Sequence, residues 1–319
     1  MHALFTGASS FTGAAFVAAL AECGVAVTAT CRRPLETYQG LARLRLESVR
    51  RVARLVESTA FGDRRFLDLV ASAGPFAVLC HHGAEVGDFR RAGFDPLAAA
   101  AANCRGADEV LDRFAAAGGR ALLVTGSVFE AEEGGGVGLD SAIGAYGLSK
   151  TLSWGLLRHH AGRAGLVIGK LVVPHPFGAF EKPGLVRHLV ESWLGGVRPL
   201  VRQPQLRRDF IHVDLLGTAY ARLCRELAVG AGRTRMAPSL YRETVAEFAR
   251  RLAVAMRPRL GRACELRLAD PPEDCDEPPE RFNAEPTPAL VPGWPIERSW
   301  DRLAAHYLEA QPAAEARAP

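Results

Sequence analysis

Long hydrophobic runs are missing from this chain. No stretch of its 319 residues approaches the ~20 consecutive apolar residues that a membrane-spanning helix needs, so no membrane partner is expected. An apolar, strand-like run begins within three residues of Met1, which leaves no room for a signal peptide and points to a cytoplasmic protein. The seven cysteines, at 23, 31, 80, 104, 224, 264 and 275, are scattered, odd in number and form no CxxC. That argues against a disulfide framework or a zinc site. The adjacent pairs His81-His82 and His159-His160 do not make a metal site either, because sequence neighbours rarely face one ion; no metal is expected. Net charge is only +4, and nearly all the positive charge is arginine. Those arginines are dispersed among helices with acidic partners instead of being interleaved with aromatics on one face, so nucleic acid is not an expected partner. Compact anionic ligands such as phosphates fit the composition. No internal repeat is found.

What is present is an alternation of strands and helices. Strands are expected at Ala3–Thr6, Val25–Cys31, Ala77–His81, Arg120–Thr125 and Leu166–Val173, with helices after the first turn to about Cys23 and over 66–73, 95–117 and 145–163. Strands separated by helices of ten or more residues indicate βαβ units and a parallel sheet. After about residue 174 the rhythm changes. Pro174, Pro176, Pro183, Pro199 and Pro204 punctuate a loop-rich region with one helix over 185–195. Arg208–Val213 reads as a strand leading into a helix over 214–227, followed by a helix from 243 to about 256. The acidic, proline-rich stretch 270–288 reads as a surface loop, and a last helix over 296–309 precedes a tail expected to be disordered. The expected fold class is α/β: a Rossmann-type doubly wound parallel sheet with a smaller C-terminal substrate-binding region. The nucleotide-binding domain covers 1–168 and the substrate region mainly 169–319, with 208–227 returning to the core.

Three motifs carry chemistry. Gly7-Ala8-Ser9-Ser10-Phe11-Thr12-Gly13 lies between strand and helix, the arrangement that holds a pyrophosphate on a helix N-terminus. Gly7, Ser10, Phe11 and Gly13 are the expected cofactor contacts, with Ser10 standing where a second glycine would leave more room. The second strand ends Thr30-Cys31-Arg32-Arg33, without the carboxylate that holds the ribose of NAD. Arg32 and Arg33 can pair with a 2′-phosphate, which favours NADP, with NAD as the alternative. Tyr146-Gly147-Leu148-Ser149-Lys150 puts a phenol and an ammonium one helical turn apart on one face. A Lys⁺ beside the phenol is expected to lower its pKa and suit it to proton transfer.

Further segments resemble the extended short-chain dehydrogenase/reductases of the nucleotide-sugar epimerase/dehydratase family. Gly62-Asp63 resembles that family's GD segment, whose Asp meets the adenine. His81-His82-Gly83-Ala84 resembles its HLAA strand end, and Asn103-Cys104-Arg105-Gly106-Ala107 its NVxGT helix start. Arg208–Asp214 is similar to RDFIHVDD, and Leu290–Pro295 to LGWxP. The resemblance implies cofactor contacts at Asp63, His81, Gly83 and Asn103, and a second role for Lys150 on the nicotinamide ribose. It places Thr125, three residues before Val128 in a segment like (S/T)xxVYG, as the catalytic hydroxyl beside Tyr146 and Lys150, with Ser127 in reserve on the substrate side. Arg208 matches the arginine that pairs with a sugar-nucleotide diphosphate. His175 stands where the family has the Asn of NxYGP, and His212 is expected to be structural.

Dehydratases of the family carry Asp-Glu after the Thr, where this chain has Gly126-Ser127, so dehydration is not expected. The chain is expected to be an NAD(P)-dependent keto-sugar reductase or epimerase acting on a nucleotide-linked sugar. A reductase of a non-sugar carbonyl and a non-catalytic NADP-binding regulator are the remaining alternatives. Family members pair the helix bearing Tyr and Lys with the one before it, so a homodimer through 145–163 and 95–117 is expected.

Overall fold

The computed structural model describes residues 1–87, 93–136, 140–270 and 278–310. In chain order the first half runs β1 (His2–Thr6), α1 (Phe11–Glu22), β2 (Ala26–Thr30), α2 (Gly40–Val52), β3 (Arg54–Val56), α3 (Arg64–Ser72), β4 (Val78–His81), α4 (Pro96–Asn103), α5 (Ala107–Ala116), β5 (Ala121–Ser127), β6 (Gly135–Gly136) and α6 (Gly144–Arg163). The second half runs β7 (Val167–Val173), β8 (His175–Phe177), α7 (Leu185–Leu194), β9 (Leu200–Val201), β10 (Arg207–His212), α8 (Val213–Ala228), β11 (Arg235–Met236), β12 (Pro238–Ser239), β13 (Tyr241–Thr244), α9 (Val245–Leu260), β14 (Arg267–Leu268), β15 (Glu280–Phe282), β16 (Glu285–Pro286), α10 (Thr287–Leu290) and α11 (Ile296–Glu309).

Seven strands form one parallel sheet in the order β11-β7-β5-β4-β1-β2-β3. Successive residues of its central strands are apolar and fully buried, as in Ala3–Phe5 and Val78–Cys80, because helices cover both faces. One face packs under α1, α2 and α8, around Phe5, Phe16, Leu46 and Tyr220. The other packs under α3, α5 and α6, around Leu4, Phe66, Phe114 and Leu157. Strand β7 continues through the expected boundary at 168 and stays in this sheet, and α8 lies against α1. A second core, centred on Phe177, Trp193, Phe210, Phe248 and Trp300, joins α7, α9 and α11. The order reverses between β4 and β1, which opens a crevice beyond their carboxyl ends, where ligands of open α/β sheets bind.

Three expectations change. The single helix over 95–117 is two, α4 and α5, because Gly106 adopts φ +57° as the N-cap of α5 and its neighbour Gly62 leaves no space: a Cβ there would lie 1.9 Å from the Arg105 carbonyl oxygen. Residues 270–288 are not one surface loop: β15 extends β10 in a five-stranded sheet, and β16 and α10 follow. Within that stretch, 271–277 lie outside the described residues, as does the tail beyond 310. Helix α2 and strand β3 were not foreseen. Arginines at 43, 45, 50 and 51 hide the apolar stripe of α2, which rests on Leu46 and Val49.

Candidate active site

The turn after β1 is built for close approach. Gly7 has φ +82°, and a Cβ there would stand 2.6 Å from the Gly83 backbone nitrogen. Ser10 is the N-cap of α1 and accepts from Gly13 N at 3.0 Å, so its side chain satisfies the helix start. Its hydroxyl also lies 2.8 Å from His82 Nε2, turned inward beneath the turn. The serine at the second glycine position therefore does not project across the helix N-terminus. The turn retains the shape of an anion cradle, and these residues fit a dinucleotide pyrophosphate.

Around the crevice, His81 is buried, with Nε2 on the Asn103 carbonyl at 3.0 Å and Nδ1 on Thr6 Oγ1 at 3.1 Å. Asn103 in turn accepts from Glu85 N and donates to Ser153 Oγ at 3.0 Å. Both residues pin strand ends to helices at the crevice wall. Gly83 N donates to Thr6 Oγ1 at 3.0 Å. Asp63 caps α3, accepting from Phe66 N at 2.7 Å and Ala60 N at 2.8 Å. At the end of β2, Arg32 pairs with Glu85 at 3.0 Å, and Arg33 lies over the Tyr38 ring at 4.6 Å. A carboxylate thus does reach the cofactor end of β2, but from the loop after β4. Phe11 opens α1 with its ring 5.9 Å from the Arg45 guanidinium.

Tyr146 and Lys150 lie in the first turns of α6. Lys150 is buried and donates to the Thr125 carbonyl at 2.6 Å, which fastens the helix to the end of β5. Close contact is possible because residue 147 is glycine: a Cβ there would meet the Phe129 carbonyl oxygen at 2.1 Å. Burial, with the Glu130 carboxylate second, raises the Tyr146 phenol well above its ordinary value. Burial, opposed by Glu130, lowers Lys150. The Tyr146 pKa is thus raised where a lowering by Lys150 was expected, because burial and the Glu130 carboxylate both penalise the phenolate. Thr125 Oγ1 lies 3.0 Å from His82 Nδ1. Ser127 Oγ accepts from Phe129 N at 3.2 Å.

His175 sits on β8 between the rings of Phe129 and Phe210, and burial beside Arg208 lowers its pKa to about 3. Arg208, buried on β10, donates to the carbonyls of Arg207 at 2.8 Å and Pro278 at 3.0 Å. It lines a cleft of about 330 Å³ with Arg207, Arg242, Glu280 and Phe282. His212 is 2% exposed and packed against Phe177 and Trp300, a core residue.

One cluster escaped the sequence reading. Lys170 on β7 bonds Glu130 at 2.7 Å and Glu133 at 2.8 Å, while Arg235 holds Glu133 at 2.6 Å. Lys170 also lies 4.2 Å over the Trp154 ring. Gly126 makes room for it, since a Cβ there would be 2.9 Å from Lys170 Cδ. The signal was a lone lysine inside the apolar strand Val167–Val173, a residue type that is buried only when paired. His82 was the other omission. Among the described residues, no group of three or more His, Cys, Asp or Glu could hold a metal ion, and no helix is long and apolar enough to cross a membrane.

Comparison with known proteins places this geometry. Among solved structures, UDP-glucuronic acid 4-epimerase from Bacillus cereus, in complex with UDP-glucuronic acid and NAD, is 14% identical. It aligns over 98% of this chain and 100% of its own at TM-score 0.72. UDP-glucose-4-epimerase from Stenotrophomonas maltophila, with bound NAD and formylated UDP-arabinopyranose, is 18% identical over 98% and 100%, at TM-score 0.72. The dTDP-glucose 4,6-dehydratase DesIV from Streptomyces venezuelae is 17% identical over 97% and 98%, at TM-score 0.70. At such identities these likenesses establish the fold. No curated protein sequence matches the chain. The model of the NAD-dependent epimerase/dehydratase family matches residues 3–235, from β1 to β11 and across the glycine turn, the β4 end and the Tyr146–Lys150 helix. The chain therefore belongs to the NAD-dependent epimerase/dehydratase family and is an enzyme of the extended short-chain dehydrogenase/reductase type that uses a nicotinamide dinucleotide.

Proposed function

We propose that this enzyme moves hydride to or from a sugar carbon of a nucleotide-linked sugar, as a keto-sugar reductase or an epimerase, with Tyr146 exchanging the proton on the adjacent oxygen. The observation that carries the reading is the placement of Tyr146 on a helix clamped to the end of β5 by the Lys150–Thr125 bond at 2.6 Å. A bound nicotinamide dinucleotide supplies the hydride exchange. Gly7, Ser10, Phe11 and Gly13 hold its pyrophosphate end, and Asp63, His81, Gly83 and Asn103 shape the adjoining wall. Lys150 offers an ammonium to the ribose and to the phenolate that forms as Tyr146 gives up its proton. Thr125 orients the substrate oxygen, with Ser127 close behind. Arg208 and His175 face the substrate side, and the nucleotide sugars bound by the solved relatives support a diphosphate-linked substrate there.

Glu130 does not restore a dehydratase. Its two oxygens are occupied by Ser127 N at 2.8 Å and Lys170 at 2.7 Å, so no free acid–base pair follows Thr125. For the cofactor, Arg32 and Arg33 favour NADP. The second reading is NAD: Glu85 neutralises Arg32 and would accept from a ribose hydroxyl as readily as it would repel a 2′-phosphate. Leu148 and Leu156 on α6 and Leu97 on α4 are 42%, 44% and 68% exposed. This apolar surface supports a homodimer through α4, α5 and α6, to be checked by light scattering.

The test is to assay UDP- and dTDP-linked sugars and their 4-keto derivatives with both cofactors. Tyr146→Phe should bind NADH normally and lose turnover by ~10²-fold or more; substantial residual turnover removes Tyr146 from the proton step. Arg32→Ala should raise the KM for NADPH far more than for NADH, and equal effects on both favour NAD.

A further inference from the structure

His82 lies immediately after β4 and behind the glycine turn, its ring stacked 5.7 Å from Phe5 and edge-on 5.2 Å from Phe16. The missing Cβ of Gly13 makes part of its space, since that atom would stand 2.9 Å from His82 Cδ2. Three hydroxyls surround its nitrogens. Ser10 Oγ is 2.8 Å and Thr12 Oγ1 3.2 Å from Nε2, and Thr125 Oγ1 is 3.0 Å from Nδ1. One imidazole therefore touches both the phosphate turn and the catalytic threonine.

Burial first, then Lys150, lowers its pKa to about 3, so the ring is neutral and carries one N–H. The surrounding hydroxyls favour one site for that proton. Ser10 Oγ, which accepts from Gly13 N, and Thr12 Oγ1 both have a hydroxyl hydrogen within reach of Nε2, against the single hydroxyl of Thr125 at Nδ1. With those hydrogens turned to Nε2, that nitrogen is the acceptor and Nδ1 carries the proton. With Nδ1–H donating to Thr125 Oγ1, the threonine keeps its own hydrogen for a second acceptor, either the buried Tyr220 hydroxyl beside it or a substrate oxygen. In the other tautomer Thr125 would spend that hydrogen on Nδ1 and present only lone pairs.

We propose that His82 is a positioning residue whose Nδ1–H fixes Thr125 as a hydrogen-bond donor toward the substrate oxygen, while its Nε2 keeps the Ser10 side chain folded beneath the phosphate turn. This inference rests on the Tyr146 reading above. It also explains how a serine is tolerated at the second glycine position: the imidazole draws the hydroxyl inward.

Imidazole ¹⁵N spectra of the full chain, with His82 assigned by comparison with His82→Asn, read the tautomer directly and need no turnover. His82 should appear as neutral Nδ1–H from pH 8 to pH 5. An Nε2–H tautomer, or titration near the ordinary 6.5, overturns the inference. With a dTDP-linked 4-keto-sugar as probe, His82→Leu should lower kcat about tenfold or more with little change in KM, but by less than about twofold in a Thr125→Val background, because the two act as one unit. Equal losses in both backgrounds overturn it. His82→Asn, which retains a donor near the Nδ1 position, should recover kcat, and His82→Gln, with its nitrogen near Nε2, should not. That pair decides the matter if His82→Leu does not fold. Full turnover by Tyr146→Phe would sink the parent reading and leave the tautomer result standing.

Discussion

Adding one methyl group to Gly147 tests how the site is assembled. In an ordinary helix, glycine to alanine stabilises by roughly 0.5–1 kcal/mol. Here the new Cβ would fall 2.1 Å from the Phe129 carbonyl oxygen and 2.9 Å from its carbon, against ordinary contact near 3.4 Å. Both atoms are backbone, and the same oxygen accepts from Ile143 N at 2.8 Å, so no side-chain rotation relieves the clash. The start of α6 must move by about 1 Å, which as overpacking costs roughly 1–3 kcal/mol. Gly147→Ala should therefore destabilise the protein by about 1–2 kcal/mol net in urea unfolding. Because Tyr146 and Lys150 ride on the displaced turn, turnover should fall by ~10²-fold. Gly162→Ala is the control: it lies on the same helix with nothing within 4 Å of its Cβ, and should stabilise by about 0.5 kcal/mol or more with turnover unchanged. If Gly147→Ala matches Gly162→Ala in stability and keeps its activity, the claim that contact with Phe129 sets the Tyr146 position is wrong.

Lys170→Met should cost about 3–5 kcal/mol at pH 8, because it leaves Glu133 buried with Arg235 as its ion pair and Glu130 buried with no cation bonded to it, Lys150 acting on it only from a distance. Urea unfolding checks it, and a deficit below about 1 kcal/mol, the size of an exposed pair, counts against the buried paired-charge account. Acid stability follows from four buried histidines. Burial lowers His81 to about 4 and His82, His175 and His212 to about 3. As pH falls through 6.5 the unfolded chain therefore binds protons that the folded chain does not, and stability drops. Glu181 runs the other way: burial raises it to about 7, so the folded chain holds an extra proton above the ordinary carboxylate range, and stability falls as pH rises toward 7. Between pH 6 and 5 these five groups together differ by roughly three protons, or about 4 kcal/mol per pH unit. A urea midpoint that stays level from pH 7 to pH 5 would contradict it.

Much of the first half could be read from the chain because its signals are local. A buried parallel strand is a short apolar run, a helix N-terminus is a glycine turn, and Tyr146 and Lys150 are one helical turn apart whatever packs around them. Strands β1, β2, β4, β5 and β7 and helices α1, α6, α7, α8 and α11 fall close to where periodicity placed them. Helix α2 was missed because arginine dominates its surface, and the 95–117 helix was drawn too long because alanine-rich sequence does not reveal a glycine held left-handed against Gly62.

The charges and tautomers of the site were a different matter. By itself the sequence determined the family, the alternation of strands and helices, the glycine turn after β1 and the spacing of Tyr146 and Lys150, since each is carried by short stretches of chain. Only the tertiary structure decided that desolvation raises Tyr146, that Lys170 joins Glu130 and Glu133 beside it, that Glu85 meets Arg32, and that His82 links Ser10 to Thr125. Those effects depend on burial and on partners 37 to 72 residues apart, and electrostatic energies are set by such distances and by the exclusion of water, not by order along the chain.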